Sequence, residues 1–229
     1  MNMVPEITTR AFTNDQLVLD RTCYSNFYRI KTLPEDCVMM DVGAHCGYFA
    51  MTCAMKGAKR IYCYEPYKPN YEMLLKNIEP FRAVVIPFNQ GIWNSHAIIK
   101  IAHPDTEDKF FDFNYIKLAT PETKDFDQGF FSEFDHIVGA LPEQPNFLKL
   151  NTRNYDIDLL KSSTKIEDFE YICGEAFFNG PSDITTLIDS MKEKGFEQSF
   201  FKADEEQNTN QFVFGKDKLK TETIFDLYA

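Results

Sequence analysis

From Cys37 onward the chain alternates short apolar runs with amphipathic stretches. "CVMMDV" is a continuous apolar run, the pattern of a parallel strand buried on both faces. "GYFAMTCAMKGA" is helical in character and ends near a glycine, a common helix stop. "RIYCYE" predicts the next strand. "KPNYEMLLKNI" places Tyr71, Leu74, Leu75 and Ile78 at helical spacing, with Pro69 tolerated in the first turn. "AVVIPFNQ" predicts a third strand. Later come a strand "NFLKLN", a helix "NYDIDLLKS", a strand "FEYICGEAF" and a helix "SDITTLIDSMKEKG". The alternation predicts a doubly wound α/β domain. The last two runs, "FEQSFFKA" and "NQFVFG", alternate around a polar loop and predict an antiparallel hairpin.

Two regions are less regular. Residues 1–35 form an N-terminal extension in which "DQLVLDRTCYSNFYRI" predicts a short helix across the edge of the core. Residues 103–140 are an insertion or cap, preceded by an added strand "AIIKIA". Seven of the 22 phenylalanines fall between Phe110 and Phe134, mixed with acids. That mixture fits an amphipathic flap, an extra hairpin or a subunit interface between copies of the chain.

Composition narrows the class. The 229 residues suit one α/β domain with a full core, and 44% of them are hydrophobic. No apolar run is long enough for a transmembrane helix, and the N-terminus lacks a signal-peptide pattern. A cytoplasmic location and no membrane partner are expected. Cys23, Cys37, Cys46, Cys53, Cys63 and Cys173 form no C-x-x-C pair and read as reduced core thiols. The four histidines show no metal-ligand spacing, so no metal is expected. A net charge of −11 and only short basic clusters argue against a nucleic-acid partner.

The chemistry concentrates where the first strand meets its helix, at "DVGAHCG". Ligands bind at the carboxyl ends of parallel strands. Gly43 permits a tight turn and close backbone approach, and Gly47 lets the helix start against the strand. Asp41 is placed facing the crevice. Glu65, 18 residues after Gly47, ends the next strand where an acid accepts hydrogen bonds from ribose hydroxyls. A dinucleotide site prefers G-x-G-x-x-G, whereas this chain has D-x-G-x-x-x-G. The carboxylate before the turn repels a pyrophosphate and suits a ligand with an ammonium group. S-adenosylmethionine, which has ribose, adenine and an amino-acid end but no phosphate, is favoured. A glycine turn without any ligand is the competing reading.

These residues resemble the FkbM-type methyltransferases, a branch of the class I S-adenosylmethionine-dependent fold. The resemblance rests on "MDVGAHCGYFA", "YCYEPYKPNYEMLLKNI", "PFNQGIW", "PNFLKLN" and "YICGEAF", in that order, and spans residues 34–215. It implies a seven-stranded mixed sheet of order 3-2-1-4-5-7-6 with helices on both faces, and S-adenosylmethionine as cofactor. It places Asp41, Gly43 and Gly47 at the methionine end of the cofactor, Glu65 at the ribose, and Asn89 and Gln90 near the adenine. Ala44, His45 and Pro66 complete the cofactor set.

The family's L-K-I-D-x-E-G is "LKLNTRN" here. Leu148 and Lys149 are kept, but Asn151, Arg153 and Asn154 replace Asp, Glu and Gly. His45 replaces the family's Asn in the first turn. Methyl transfer gains most from positioning, and a hydroxyl acceptor gains further from a base. A carboxylate can act as that base and Asn151 cannot. Arg153 offers a positive charge to an acidic substrate. Lys149 needs a lowered pKa to act as a base. The catalytic candidates are Lys149, Asn151 and Glu175, with His136 as a further base candidate. Trp93 is read as core. The expected function is methyl transfer from S-adenosylmethionine to a small-molecule hydroxyl, of sugar or natural-product type. The alternative is a cofactor-binding or fold-only protein that lost catalysis through Asn151 and Arg153, and a dinucleotide oxidoreductase ranks third.

Overall fold

The computed structural model describes residues 7–11, 13–102, 117–118, 124, 126–152, 155–177, 181–204 and 209–227. In chain order the strands are β1 Val38–Val42, β2 Arg60–Tyr64, β3 Val85–Phe88, β4 Gly91–Trp93, β5 Ala97–Ala102, β6 Lys117–Leu118, β7 Phe126–Glu133, β8 Phe147–Leu150, β9 Tyr171–Ala176, β10 Gln198–Asp204 and β11 Thr209–Gly215. The α-helices are α1 Asp15–Leu19, α2 Tyr48–Met55, α3 Lys68–Asn77, α4 Phe134–Ala140, α5 Asp156–Ser162, α6 Pro181–Glu193 and α7 Lys218–Ile224. The predicted N-terminal helix is short: α1 runs into one π-helical turn, Asp20–Tyr24.

Seven strands form the main sheet in the order β10-β11-β9-β8-β1-β2-β3. Counted along the chain within this sheet, the order is 3-2-1-4-5-7-6, as expected from the sequence. The five strands from β3 to β9 run parallel, and β11 lies antiparallel to both β9 and β10. All five residues of β1 are buried, which explains its unbroken apolar run. Alternate side chains feed two cores. Met39, Ile61, Phe147 and Tyr171 pack with α2, α3 and the α7 end. Val38, Met40, Val42, Tyr62, Leu148 and Ile172 pack with α4, α5 and α6. Helices therefore cover both faces.

The chain after β3 builds a second sheet of order β4-β7-β5-β6. Sequence periodicity finds β5 but not β4, whose three residues are too few to carry a pattern. Part of the Phe-rich segment becomes β6, β7 and α4. The rest, with the flap and subunit contact expected there, falls outside the described residues, as do Arg153 and Asn154.

Strand register sets the functional edge. Val42 is the partner of both Tyr64 and Leu150, Tyr64 of Phe88, and Leu150 of Gly174. The next residue of each strand or its following loop is Gly43, Glu65, Asn151, Asn89 and Glu175. Five sequence-predicted residues thus share one row at the carboxyl edge of the sheet.

Candidate functional site

The turn after β1 is shaped by backbone chemistry. Gly43 has φ of 75° and Gly47 of 82°, both left-handed and favourable for glycine. His45 has φ of 50°, an uncommon conformation for a side-chain-bearing residue. The Gly43 and Ala44 N–H groups donate to Tyr64 O at 3.0 Å each, which ties the turn to β2. The His45 N–H donates to Glu65 Oε2 at 2.9 Å, and the Tyr67 N–H donates to Glu65 Oε1 at 3.0 Å. Two fixed backbone donors therefore hold the Glu65 carboxylate in one orientation.

A cavity of about 160 Å³ lies along this edge. Of the sequence-predicted residues, Gly43, Ala44, His45, Glu65, Pro66, Lys149, Asn151 and Glu175 line it. Asp41, Gly47, Asn89 and Gln90 do not. Asn89 instead donates Nδ2 to Glu65 O at 2.9 Å and Pro66 O at 3.2 Å, bracing the acid's loop from behind. Gln90 donates Nε2 to Ser132 Oγ and joins the main sheet to β7. Gly47 packs beside Leu74 and Ile78 of the helical layer.

Asp41 is fully buried and does not reach the crevice. Its register partner across the strand pair is Lys149, whose Nζ lies 2.9 Å from Asp41 Oδ1 and donates to Gly43 O at 2.6 Å. The cation expected from a ligand ammonium is thus supplied by the chain. Burial alone lowers the pKa of Lys149, but the Asp41 carboxylate and the adjoining Tyr28 outweigh it and the pKa is raised. A base needs the opposite shift.

The other catalytic candidates form one network. Asn151 Nδ2 donates to Glu175 Oε2 and to Tyr28 Oη, each at 3.0 Å. Thr209 Oγ1 donates to Glu175 Oε1 at 2.6 Å, and Arg21 pairs with the same oxygen at 3.2 Å. Arg21 also sits 4.0 Å over the Phe27 ring. The N-terminal segment therefore builds a wall of the cavity through Val18, Arg21, Thr22, Phe27 and Tyr28. Sequence reasoning missed Arg21, Tyr28, Trp93 and Tyr155. Trp93 and Tyr155 belong to segments separated from the glycine turn, and only the second sheet and the loop before α5 bring them to it. His136 is exposed and stacks edge-on with His96, away from the cavity.

Asp15, His45 and Cys46 are the one group among the described residues close enough to share a cation. The Arg10 guanidinium already sits there, bonded to both Asp15 oxygens at 2.6 and 2.8 Å and to Cys46 Sγ at 3.1 Å. Burial also raises the Cys46 thiol well above its ordinary value, which disfavours the thiolate that a metal needs.

Burial pushes the Glu65 carboxyl from 4.5 up to about 7, against the opposing pull of its backbone donors. A raised acid keeps its proton in the fold where the unfolded chain has lost it. Its stabilising contribution is present below about pH 4.5 and is lost as pH rises through about 7. Urea denaturation across that window should therefore show stability falling with pH. The Glu65 share, on the order of 3 kcal/mol, should vanish in Glu65→Gln. An unchanged pH slope in that variant would contradict this account of Glu65.

No family model matches the chain, and no curated protein matches it. The structure is similar to the M. jannaschii TYW2 protein in complex with AdoMet, at 13% identity over 83% of this chain and 72% of that one, with a TM-score of 0.47. It is similar to aTrm5 in complex with tRNALeu, at 12% identity over 90% of this chain, with a TM-score of 0.48. This chain spans 46% of the length of aTrm5. A METTL16 methyltransferase domain aligns at 9% identity over 89% of this chain and 84% of that one, with a TM-score of 0.49.

Three expectations are corrected here. Membership of the FkbM-type family is not upheld, because no family model matches the chain. The short phrases that carried the resemblance are those that a strand-turn-helix edge of this fold imposes on many sequences. The small-molecule hydroxyl acceptor falls with it. The exclusion of a nucleic-acid partner is also withdrawn. Net charge sums the whole surface, whereas binding depends on one face of it. No helix among the described residues is long and apolar enough to cross a membrane. The observed strand order, with helices on both faces, gives the chain the class I S-adenosylmethionine-dependent methyltransferase fold.

Proposed function

We propose that the protein binds S-adenosylmethionine in this cavity and is a methyltransferase. The observation that carries the reading is Glu65. Its carboxylate is buried, borders the cavity and is aimed by two backbone N–H groups beside the Gly43 turn. A carboxylate with lone pairs to spare at the end of a second parallel strand suits the two hydroxyls of a ribose. The turn and the N-terminus of α2 take the amino-acid end. There the Lys149 ammonium, held by Asp41 and Gly43 O, faces the ligand's carboxylate.

S-adenosylmethionine supplies a methyl group made electrophilic by its sulfonium. The chain's part is to bind, orient and keep out water. Val18, Phe27, Tyr28 and Phe49 give the cavity an apolar wall, and Asn151 and Glu175 give it a fixed polar end at β8 and β9. An acceptor seated there meets groups already locked by hydrogen bonds, which favours positioning as the source of rate.

The test is donor turnover. The protein is incubated with S-adenosylmethionine carrying a labelled methyl group and with fractions of a cell extract, RNA among them. Label is expected to move into one fraction and to stay in the donor when Glu65→Ala replaces the wild type. No transfer into any fraction, with donor binding intact, would overturn the methyltransferase reading.

A further inference from the structure

We propose that residues 20–28 form a flap over the cavity, and that the adenosyl ligand enters and leaves when this flap lifts from the sheet edge. This rests on the cofactor reading above and adds a moving part to it. Arg21, Phe27 and Tyr28 of the flap line the cavity together with Asn151 and Glu175, so the flap closes that end of the site.

Both ends of the segment are anchored. On one side Leu19 is buried in the core, and Asp15 is fully buried and bonded to the Arg10 guanidinium, which also donates to Asn70 Oδ1 at 2.8 Å. On the other side Arg29 and Ile30 are buried. Arg29 Nη1 donates to Asp226 O at 2.8 Å, the Asp226 N–H donates to Arg29 O at 2.7 Å, and Ile30 makes a β-bridge with Phe225. Between these anchors the chain turns outward, and Tyr24, Ser25 and Asn26 are exposed. Its backbone bonds close on itself: the Ser25, Phe27 and Arg29 N–H groups donate to the carbonyls of Asp20, Arg21 and Asn26. Asn26 has φ of 48° and Arg29 of 60°. Two left-handed residues that carry side chains therefore bracket Phe27 and Tyr28, and a change of backbone conformation at either relieves strain. Such positions suit the pivots of a flap.

Side chains fasten the flap to the body. Arg21 Nη2 meets Glu175 Oε1 of β9 at 3.2 Å, and Tyr28 Oη accepts from Asn151 Nδ2, just past β8, at 3.0 Å. The Tyr28 ring meets Phe49 of α2 edge-on at 4.9 Å. Cys23 Sγ lies 3.6 Å from Tyr48 O and 3.2 Å from Thr52 Oγ1, both on α2. These are light fastenings. The Arg21 side chain is 20% exposed, so water competes for it, and a thiol is a weak hydrogen-bonding group. The floor of the cavity is held differently. It consists of strand ends in register, and two backbone bonds tie the Gly43 turn to β2. Opening the site between floor and flap therefore breaks the flap's contacts first.

The test is to pin the flap shut. Cys23 Sγ and Thr52 Oγ1 are close enough for Thr52→Cys to form a disulfide with Cys23 after a small side-chain rotation. The full-length variant is oxidised with diamide, and the new bond is confirmed by peptide mapping. Uptake and release of radiolabelled S-adenosylhomocysteine are then timed by rapid filtration, for oxidised and reduced variant and for wild type treated alike. The bonded variant should take up and release the ligand about tenfold more slowly or worse, with full recovery on reduction. Diamide should leave the wild-type rates unchanged. Arg21→Gln, which loosens the flap, should speed release about fivefold or more. Equal rates in the bonded and reduced variant would overturn the flap while leaving the cofactor reading in place. Should the bond not form, Arg21→Gln decides, and an unchanged release rate there overturns the flap. No binding by folded wild-type protein would remove the cofactor reading, and the flap with it.

Discussion

Lys149→Met should lower the stability of the fold by about 3–5 kcal/mol. The cost arises from the partner left behind. Asp41 is fully buried in the central strand, and its carboxylate meets the Lys149 ammonium there. The Lys149 ammonium at 2.9 Å is what makes a charge tolerable there. Without it, Asp41 must either stay ionised in the core or take up a proton, and burial already pushes its pKa upward. Gly43 O also loses its 2.6 Å donor, so the turn should loosen and adenosyl binding should weaken. The double variant Asp41→Asn/Lys149→Met should regain much of the loss, because it removes the orphaned charge. Urea denaturation of the three variants measures this. A loss under about 1 kcal/mol in Lys149→Met would show that the pair acts as an exposed one and contributes little.

Gly43→Ala should cost about 2–5 kcal/mol and abolish ligand binding. Two penalties add. At φ of 75° any side chain is strained. In addition, a Cβ would lie 2.0 Å from the backbone oxygen of Asn151, an atom with no flexible side chain through which to retreat. Relief requires the end of β8 to move, and with it the Asn151–Glu175–Tyr28 network. Gly57→Ala is the control. Gly57 has φ of 93° and nothing within 4 Å of the added carbon, so it bears the strain without the clash. Equal thermal-melt losses in the two variants would contradict the close approach of β1 and β8 at the turn.

The contrast between these glycines marks what a sequence discloses. The positive φ at Gly43 follows from its place between a strand and a helix, and the strand order follows from the alternation of apolar runs with helical stretches. The row Gly43, Glu65, Asn151 and Glu175 was legible too, because parallel register brings successive strand ends together. The Asp41–Lys149 pair was not. Seeing it requires knowing that β8 lies beside β1 with those two residues as register partners, 108 positions apart. Read alone, each charge invited a role toward the ligand, whereas each mainly neutralises the other. Trp93 was missed for the opposite reason. Its strand has three residues, too short for periodicity, and an apolar residue in a short run reads as core. Only the second sheet turns it toward the cavity. The N-terminal extension was legible as helix but not as cavity wall, since Arg21 reaches Glu175 across 154 positions.

The account stands on Glu65 at the ribose of an adenosyl ligand. Calorimetric titration of S-adenosylhomocysteine into the wild type and into Glu65→Ala tests it most directly, with folding of both checked by thermal melting. Saturable one-site binding by the wild type, lost or greatly weakened in the variant, is the predicted result. No binding by folded wild-type protein, or equal binding by the two, would contradict it.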